Sequence, residues 1–258
     1  MKKFLSSAFL FFSFVMLLNA PCFSAQHEIV QKLIEHSKQC YPLYYFTPEQ
    51  IASKDKQEIF LLGLVDSAAL KEPHAWEKEV KDLNLLPVNK CVYRGNKNYY
   101  KEKNKVLLSA LEVKQIINTD FVAHTLVDGK TFGYKYTFVP IYPNGYPKGE
   151  SIVSLLNAFN NILQATPQQR VYISCFDGKH RSSLISSILQ FIGEYAANPA
   201  QACLGPGTEN DKGFVEAKAL ADQGLFTYNM PAGYKQFYLD FTQSVCNNDS
   251  EKFLNGLN

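Results

Sequence analysis

A cysteine and an arginine with five residues between them, in the run CFDGKHRSS from 175 to 183, are the residues of this sequence best suited to chemistry. Before them, VYIS (171–174) is a short β-rich run. After them, Leu184, Ile185, Ile188, Leu189 and Ile192 recur at helical spacing. The unit reads as strand, tight polar loop and helix, with the loop at the helix N-terminus. A loop of this length turns several backbone N–H groups inward and forms a nest for an anion. The planar fork of Arg181 can hold two oxygens of a phosphate. The same N–H groups and the helix dipole favour the thiolate of Cys175, which is the nucleophilic form. Gly178 lets the backbone come close and take a positive φ. Ser182 is placed to hydrogen-bond the sulfur when it leaves. Phe176, Lys179 and His180 complete the loop as substrate-facing candidates, and the lysine and histidine would bring positive charge to the rim, suiting a multiply phosphorylated substrate. Together these features meet the needs of phosphate-ester cleavage through a cysteinyl-phosphate.

Cys175, Gly178, Arg181 and Ser182 match C-x-x-G-x-x-R-[ST], and in this the sequence resembles the protein-tyrosine-phosphatase superfamily. CFDGKHRSS looks closest to the atypical dual-specificity phosphatases of fungi and plants, whose loop also carries G-K-H-R. The run VYRG (92–95) is similar to the tyrosine-arginine-serine/glycine strand that opens many such domains. The resemblance spans roughly residues 90 to 195. It implies an α/β fold with a mixed, mostly parallel sheet flanked by helices. It also implies hydrolysis of phosphate monoesters, either phosphotyrosine or an inositol phosphate or phosphoinositide, with no cofactor and no metal.

Two departures stand out. Ser174 takes the place where the family usually has histidine. The family's general acid is an aspartate on the loop between the preceding strand and helix, and here that loop, YPNGYPKGES (142–151), contains none. Protonation of a leaving group normally needs an acid within hydrogen-bond reach. The candidates are Asp177, inside the nest, and Glu150, at the end of the loop. For Asp177 the sequence resembles the C-x-D-G-x-x-R loop of myotubularin-type lipid phosphatases. The bland reading of Asp177 is a loop residue bonding local backbone. Two rival readings of the whole unit stay open: a rhodanese, whose loop is usually shorter, and a module that binds phosphate without turnover.

The elements that must position these residues follow from pattern. Residues 27–39 and 49–63 read as helices, the second with Thr47 as cap and Pro48 at its first position. Another helix is expected in HAWEKEVKDL, with Trp76 as a packing residue. Then come the strand KCVYRG, a helix over LLSALEVKQIIN, and strands in FVAHTLV and KYTFVPI. The helix SIVSLLNAFNNILQA and the strand RVYIS lead into the loop, a Gly/Pro-rich segment follows Ala196, and two helices close the chain. Arg94 is expected either to approach the pocket or to form a surface ion pair. His124 reads as a core histidine, and Tyr134, Tyr142 and Tyr146 as pocket walls or as packing.

Composition sets the outer bounds. Residues 1–24, with Lys2, Lys3 and an apolar run from Phe4 to Leu18, read as a secretory signal peptide. A retained anchor would be short for a span, and Pro21 before Cys22 fits lipid attachment poorly. Residues 25–88 read as a helical extension and 89–258 as the phosphatase domain. The lysine-rich start suits a bacterium, and the destination is the periplasm or the medium. Without the leader, basic and acidic residues balance, so neither nucleic acid nor membrane is an expected partner; a phosphorylated protein or inositol phosphate is. Arg94, Arg170 and Arg181 are the only arginines, which makes each an informative choice. Cys40, Cys91, Cys175, Cys203 and Cys246 are odd in number, so disulfides among four would leave one thiol free, sensibly Cys175.

Overall fold

The computed structural model describes residues 28–40, 76–120, 133–142, 145–205 and 231–248. The proposed leader, the proposed 49–63 helix and the FVAHTLV run with His124 lie outside them. In chain order the elements are α1 (28–40), α2 (Glu77–Leu83), β1 (Leu86–Asn89), β2 (Val92–Asn96), a 3-10 turn (Lys97–Tyr100), α3 (Glu102–Ala110) and β3 (Val113–Asn118). There follow β4 (Lys135–Phe138), α4 (Glu150–Ile162), β5 (Arg170–Cys175), α5 (Arg181–Ala197), α6 (Pro199–Ala202) and α7 (Ala232–Asn247).

The five strands form one sheet in the order β1-β2-β5-β3-β4, antiparallel only at β1/β2. This is the expected mixed, mostly parallel α/β architecture. Strand β5 is buried at all six residues, as a central parallel strand covered on both faces must be. Its alternation splits the core in two. Val171 and Ile173 face a cluster with residues of α1, α4, α5 and α7, while Tyr172 faces the other, with residues of α2 and α3.

One expected helix is corrected. The apolar spacing over residues 107–118 predicts a helix, but the helix ends at Ala110 and Val113–Asn118 is a strand. Glu112 takes a left-handed φ of 58°, which turns the chain out of the helix. The β-branched Val113, Ile116 and Ile117 then pair with β5. Strand β1, unexpected from the sequence, straddles the proposed boundary at 88/89 and tolerates Pro87 because it lies at the sheet edge.

Among the described residues two disulfides close the fold, Cys40–Cys91 and Cys203–Cys246, and Cys175 is the free cysteine. The first ties α1 to the residue preceding β2. His36 Nε2 lies 2.7 Å from the carbonyl of Ala165, and Ile29 and Leu33 enter the core, so α1 is packed into the domain. Among the described residues no helix is long and apolar enough to cross a membrane.

Candidate active site

Functional groups in open parallel sheets gather beyond the carboxyl ends of the strands, where neighbouring connections diverge. Here β2 and β3 lie on opposite sides of β5, with Asn96 level with Cys175 and Asn118 level with Ser174. The loop 176–180 rises from this edge, and α5 starts at Arg181.

The backbone of the loop is held from outside. Lys97 N–H donates to the Phe176 carbonyl at 3.4 Å, and Asn84 Nδ2 donates to that of Asp177 at 3.2 Å. Arg94 Nη1 donates to the Gly178 carbonyl at 3.3 Å. Ser183 Oγ donates to the Lys179 carbonyl, and Leu184 N–H to that of His180. In a trans peptide the C=O and the next N–H point in opposite directions. Five successive carbonyls bound on the outside therefore turn the N–H groups of residues 177–181 toward the inside of the arc, as an anion nest requires.

Gly178 makes this curvature possible. Its φ is +71°, and a Cβ there would lie 2.6 Å from the Gly95 carbonyl carbon and 2.7 Å from Asn96 N. Gly95 is equally constrained, because its own Cβ would press into the Tyr172 hydroxyl and the Leu83 carbonyl. Two glycines thus permit the contact between loop and strand.

Cys175 lies at the base, 3 % exposed, with its Sγ 3.3 Å from Ser182 Oγ. Either atom can be the donor in this contact. Arg181 opens α5 with Nη1 2.6 Å from Asp120 Oδ1, while its buried Nε meets no acceptor among the described residues. One edge of the fork is anchored, and Nε is available to an anion.

Asp120 is the site residue that the sequence reading missed. It is 4 % exposed, two residues beyond the end of β3. Asn118 Oδ1 accepts from Asp120 N–H at 2.9 Å, and Thr119 donates through both N–H and Oγ1 to the Ser174 carbonyl, each at 2.8 Å. These bonds fix the turn that carries the carboxylate to Arg181. The available signal was its place at the carboxyl end of a strand beside β5.

The remaining candidates lie around the rim or away from it. Phe176 is half exposed, with Lys97 Nζ 3.3 Å from its ring centroid, a cation–π contact. Asp177 is exposed and Lys179 partly so. Burial lowers the pKa of His180; the Asp177 carboxylate opposes this, and Arg181 and Lys179 add to it. The charged imidazolium is therefore disfavoured relative to a free histidine. Glu150 is exposed in the first turn of α4, 3.4 Å from Tyr142 Oη. Tyr146 bonds Asp240 on α7, and Tyr134 donates to the Lys105 carbonyl and packs on the α3 side of the sheet. Arg94, expected either at the pocket or in a surface ion pair, is buried and bonds the Gly178 carbonyl and Ser183 Oγ. Trp76 packs on the α2–α3 cluster as expected. Among the described residues no group of three or more His, Cys, Asp or Glu is arranged to hold a metal.

No family model matches the chain, and no curated protein matches it. Among solved structures, the core catalytic domain of the PP-IP phosphatase SIW14 from S. cerevisiae, in complex with citrate, superposes at a TM-score of 0.34 with 19 % identity, covering 55 % of this chain and 92 % of that one. TpbA from P. aeruginosa superposes at 0.35 with 14 % identity, covering 56 % of this chain and 89 % of that one. Likeness at this level carries no weight for function, which rests on the geometry of the loop itself.

Proposed function

We propose that this chain is an exported cysteine-dependent phosphatase, of the protein-tyrosine or dual-specificity type, acting on phosphate monoesters. The observation that carries the reading is the preformed nest: carbonyls turned outward, a thiol at its base, and an arginine whose Nε awaits an acceptor. Cys175 Sγ attacks phosphorus, forming an S–P bond as the P–O ester bond breaks. The nest and Arg181 stabilise the charge on the equatorial oxygens. Asp177, on the rim, gives its proton to the departing oxygen. Water then cleaves the S–P bond, with Ser182 donating to the leaving sulfur, and inorganic phosphate departs. Lys179 and Lys97 at the rim support a substrate with further negative charge, an inositol phosphate or phosphoinositide, alongside phosphotyrosine. Two disulfides support an oxidising compartment, and hence export.

The test is turnover of a small aryl phosphate, followed by a panel of phosphotyrosine peptides and inositol phosphates. Cys175→Ser should abolish hydrolysis and keep phosphate binding; substantial residual turnover would exclude the mechanism. Phosphate binding without turnover in the wild type would identify a binding module instead. Asp177→Asn should slow alkyl phosphates far more than aryl ones, because a poor leaving group depends most on the acid. If Glu150→Gln shows that dependence and Asp177→Asn does not, the acid is Glu150.

A further inference from the structure

We infer that Arg94 is a positioning residue that tunes the anion affinity of the loop from beneath, through two of its peptide groups. This rests on the reading of the loop as a phosphate nest. Arg94 belongs to β2 and is 4 % exposed. Burying a guanidinium costs several kcal/mol before its interactions are counted, so packing alone would be better served by an apolar side chain. Its partners tell what it does there. Nη1 donates to the Gly178 carbonyl, and also to Ser183 Oγ. Ser183 Oγ in turn donates to the Lys179 carbonyl. One cation therefore stands behind two consecutive carbonyls, directly at Gly178 and by relay at Lys179.

The N–H ends of those two peptide groups belong to Lys179 and His180, and they face the nest. A positive charge at the carbonyl end of a peptide polarises it, and polarisation passes along a hydrogen-bonded chain. Arg94 thus makes these two donors stronger while also holding their direction. Arg181 meets the anion itself, whereas Arg94 meets the Gly178 carbonyl and the Ser183 hydroxyl behind the loop. Lysine would supply the charge on a shorter, compact head that need not place a donor between the Gly178 carbonyl and Ser183 Oγ, as Nη1 does.

The experiment compares alkylation of Cys175 by iodoacetate and iodoacetamide. The other described cysteines are held in disulfides, so the label reports on this thiol. Both reagents need the same thiolate, and only iodoacetate carries an anion for the nest to recruit. The ratio of the two rates therefore reports anion recruitment, separated from changes in thiolate reactivity, which affect both rates alike. Wild type should favour iodoacetate well beyond free cysteine. Arg94→Met should lose about tenfold of that preference, the scale of a hydrogen bond to a charged group. Arg94→Lys should recover part of it. Ser183→Ala, which breaks only the relay, should lose a smaller share and tests the idea even if Arg94→Met does not fold. A wild-type ratio equal to that of free cysteine would overturn the nest reading itself. A strong wild-type preference left unchanged in folded Arg94→Met, or in Ser183→Ala if the former fails to fold, would overturn the role of Arg94 alone.

Discussion

Removing the carboxylate of Asp120 should destabilise the protein, and phosphate should give much of that stability back. Asp120 Oδ1 and Arg181 Nη1 are 2.6 Å apart, with side chains only 5 % and 12 % exposed. Losing one partner of a buried pair costs about 3–5 kcal/mol, chiefly because the other charge is left without its counterion. In a domain of this size, where 1 kcal/mol corresponds to about 2–4 °C, a fall in Tm of about 10 °C is expected for Asp120→Ala. A ligand that binds only the folded state at 100 times its Kd adds about 2.7 kcal/mol. In the wild type, phosphate must share Arg181 with a nearby negative charge. In Asp120→Ala it becomes the counterion that Arg181 lacks. The variant should therefore gain more from phosphate than the wild type does, and the gap between them should narrow as phosphate is raised. Thermal unfolding followed by calorimetry across a phosphate titration reads both effects. An Asp120→Ala protein as stable as wild type, or a deficit that phosphate leaves unchanged, would refute the assignment of Asp120 and Arg181 to one anion site.

Two other perturbations follow from the same structure. Gly178→Ala places a Cβ 2.6 Å from the Gly95 carbonyl carbon at a φ of +71°, so the arc must open. Phosphate affinity and hydrolysis should both fall by about 10²-fold, the scale of losing a preorganised charge-stabilising group, which calorimetric titration and steady-state kinetics will check. Replacing Cys203 and Cys246 by serine frees a connection spanning 43 residues, whose closure is worth about 4 kcal/mol by chain entropy. Denaturant unfolding should show a loss of that order, and an unchanged midpoint would show that the bridge does not form in solution.

How far the sequence could be read depended on the range of the interactions. The strand-loop-helix unit around Cys175 was legible because its apolar spacing, glycine and serine lie within one contiguous run. Strand β3 was not. Val113, Ile116 and Ile117 happen to continue the spacing of the helix before them, and only the turn at Glu112 separates the two elements. Asp120 was missed because it meets Arg181 across 61 residues of sequence, and Asn84 because it meets Asp177 across 93. Neither contact leaves a local pattern. Arg94 was noticed because arginine is rare in this chain, but its partners depend on the pairing of β2 with β5.

The grip of Asn84 on the Asp177 carbonyl has a consequence for how the protein fails on heating. Asn84 is the left-handed cap of α2, a helix of seven residues, at φ 50°. Short helix ends open at much lower free energy than a central sheet. When the last turn of α2 frays, one of the five outside ties on the loop goes with it, while β5 and its neighbours stay paired. Catalytic loss should thus precede melting, with amide exchange at Leu83–Leu85 quickening in the temperature interval where activity falls and the sheet is still protected.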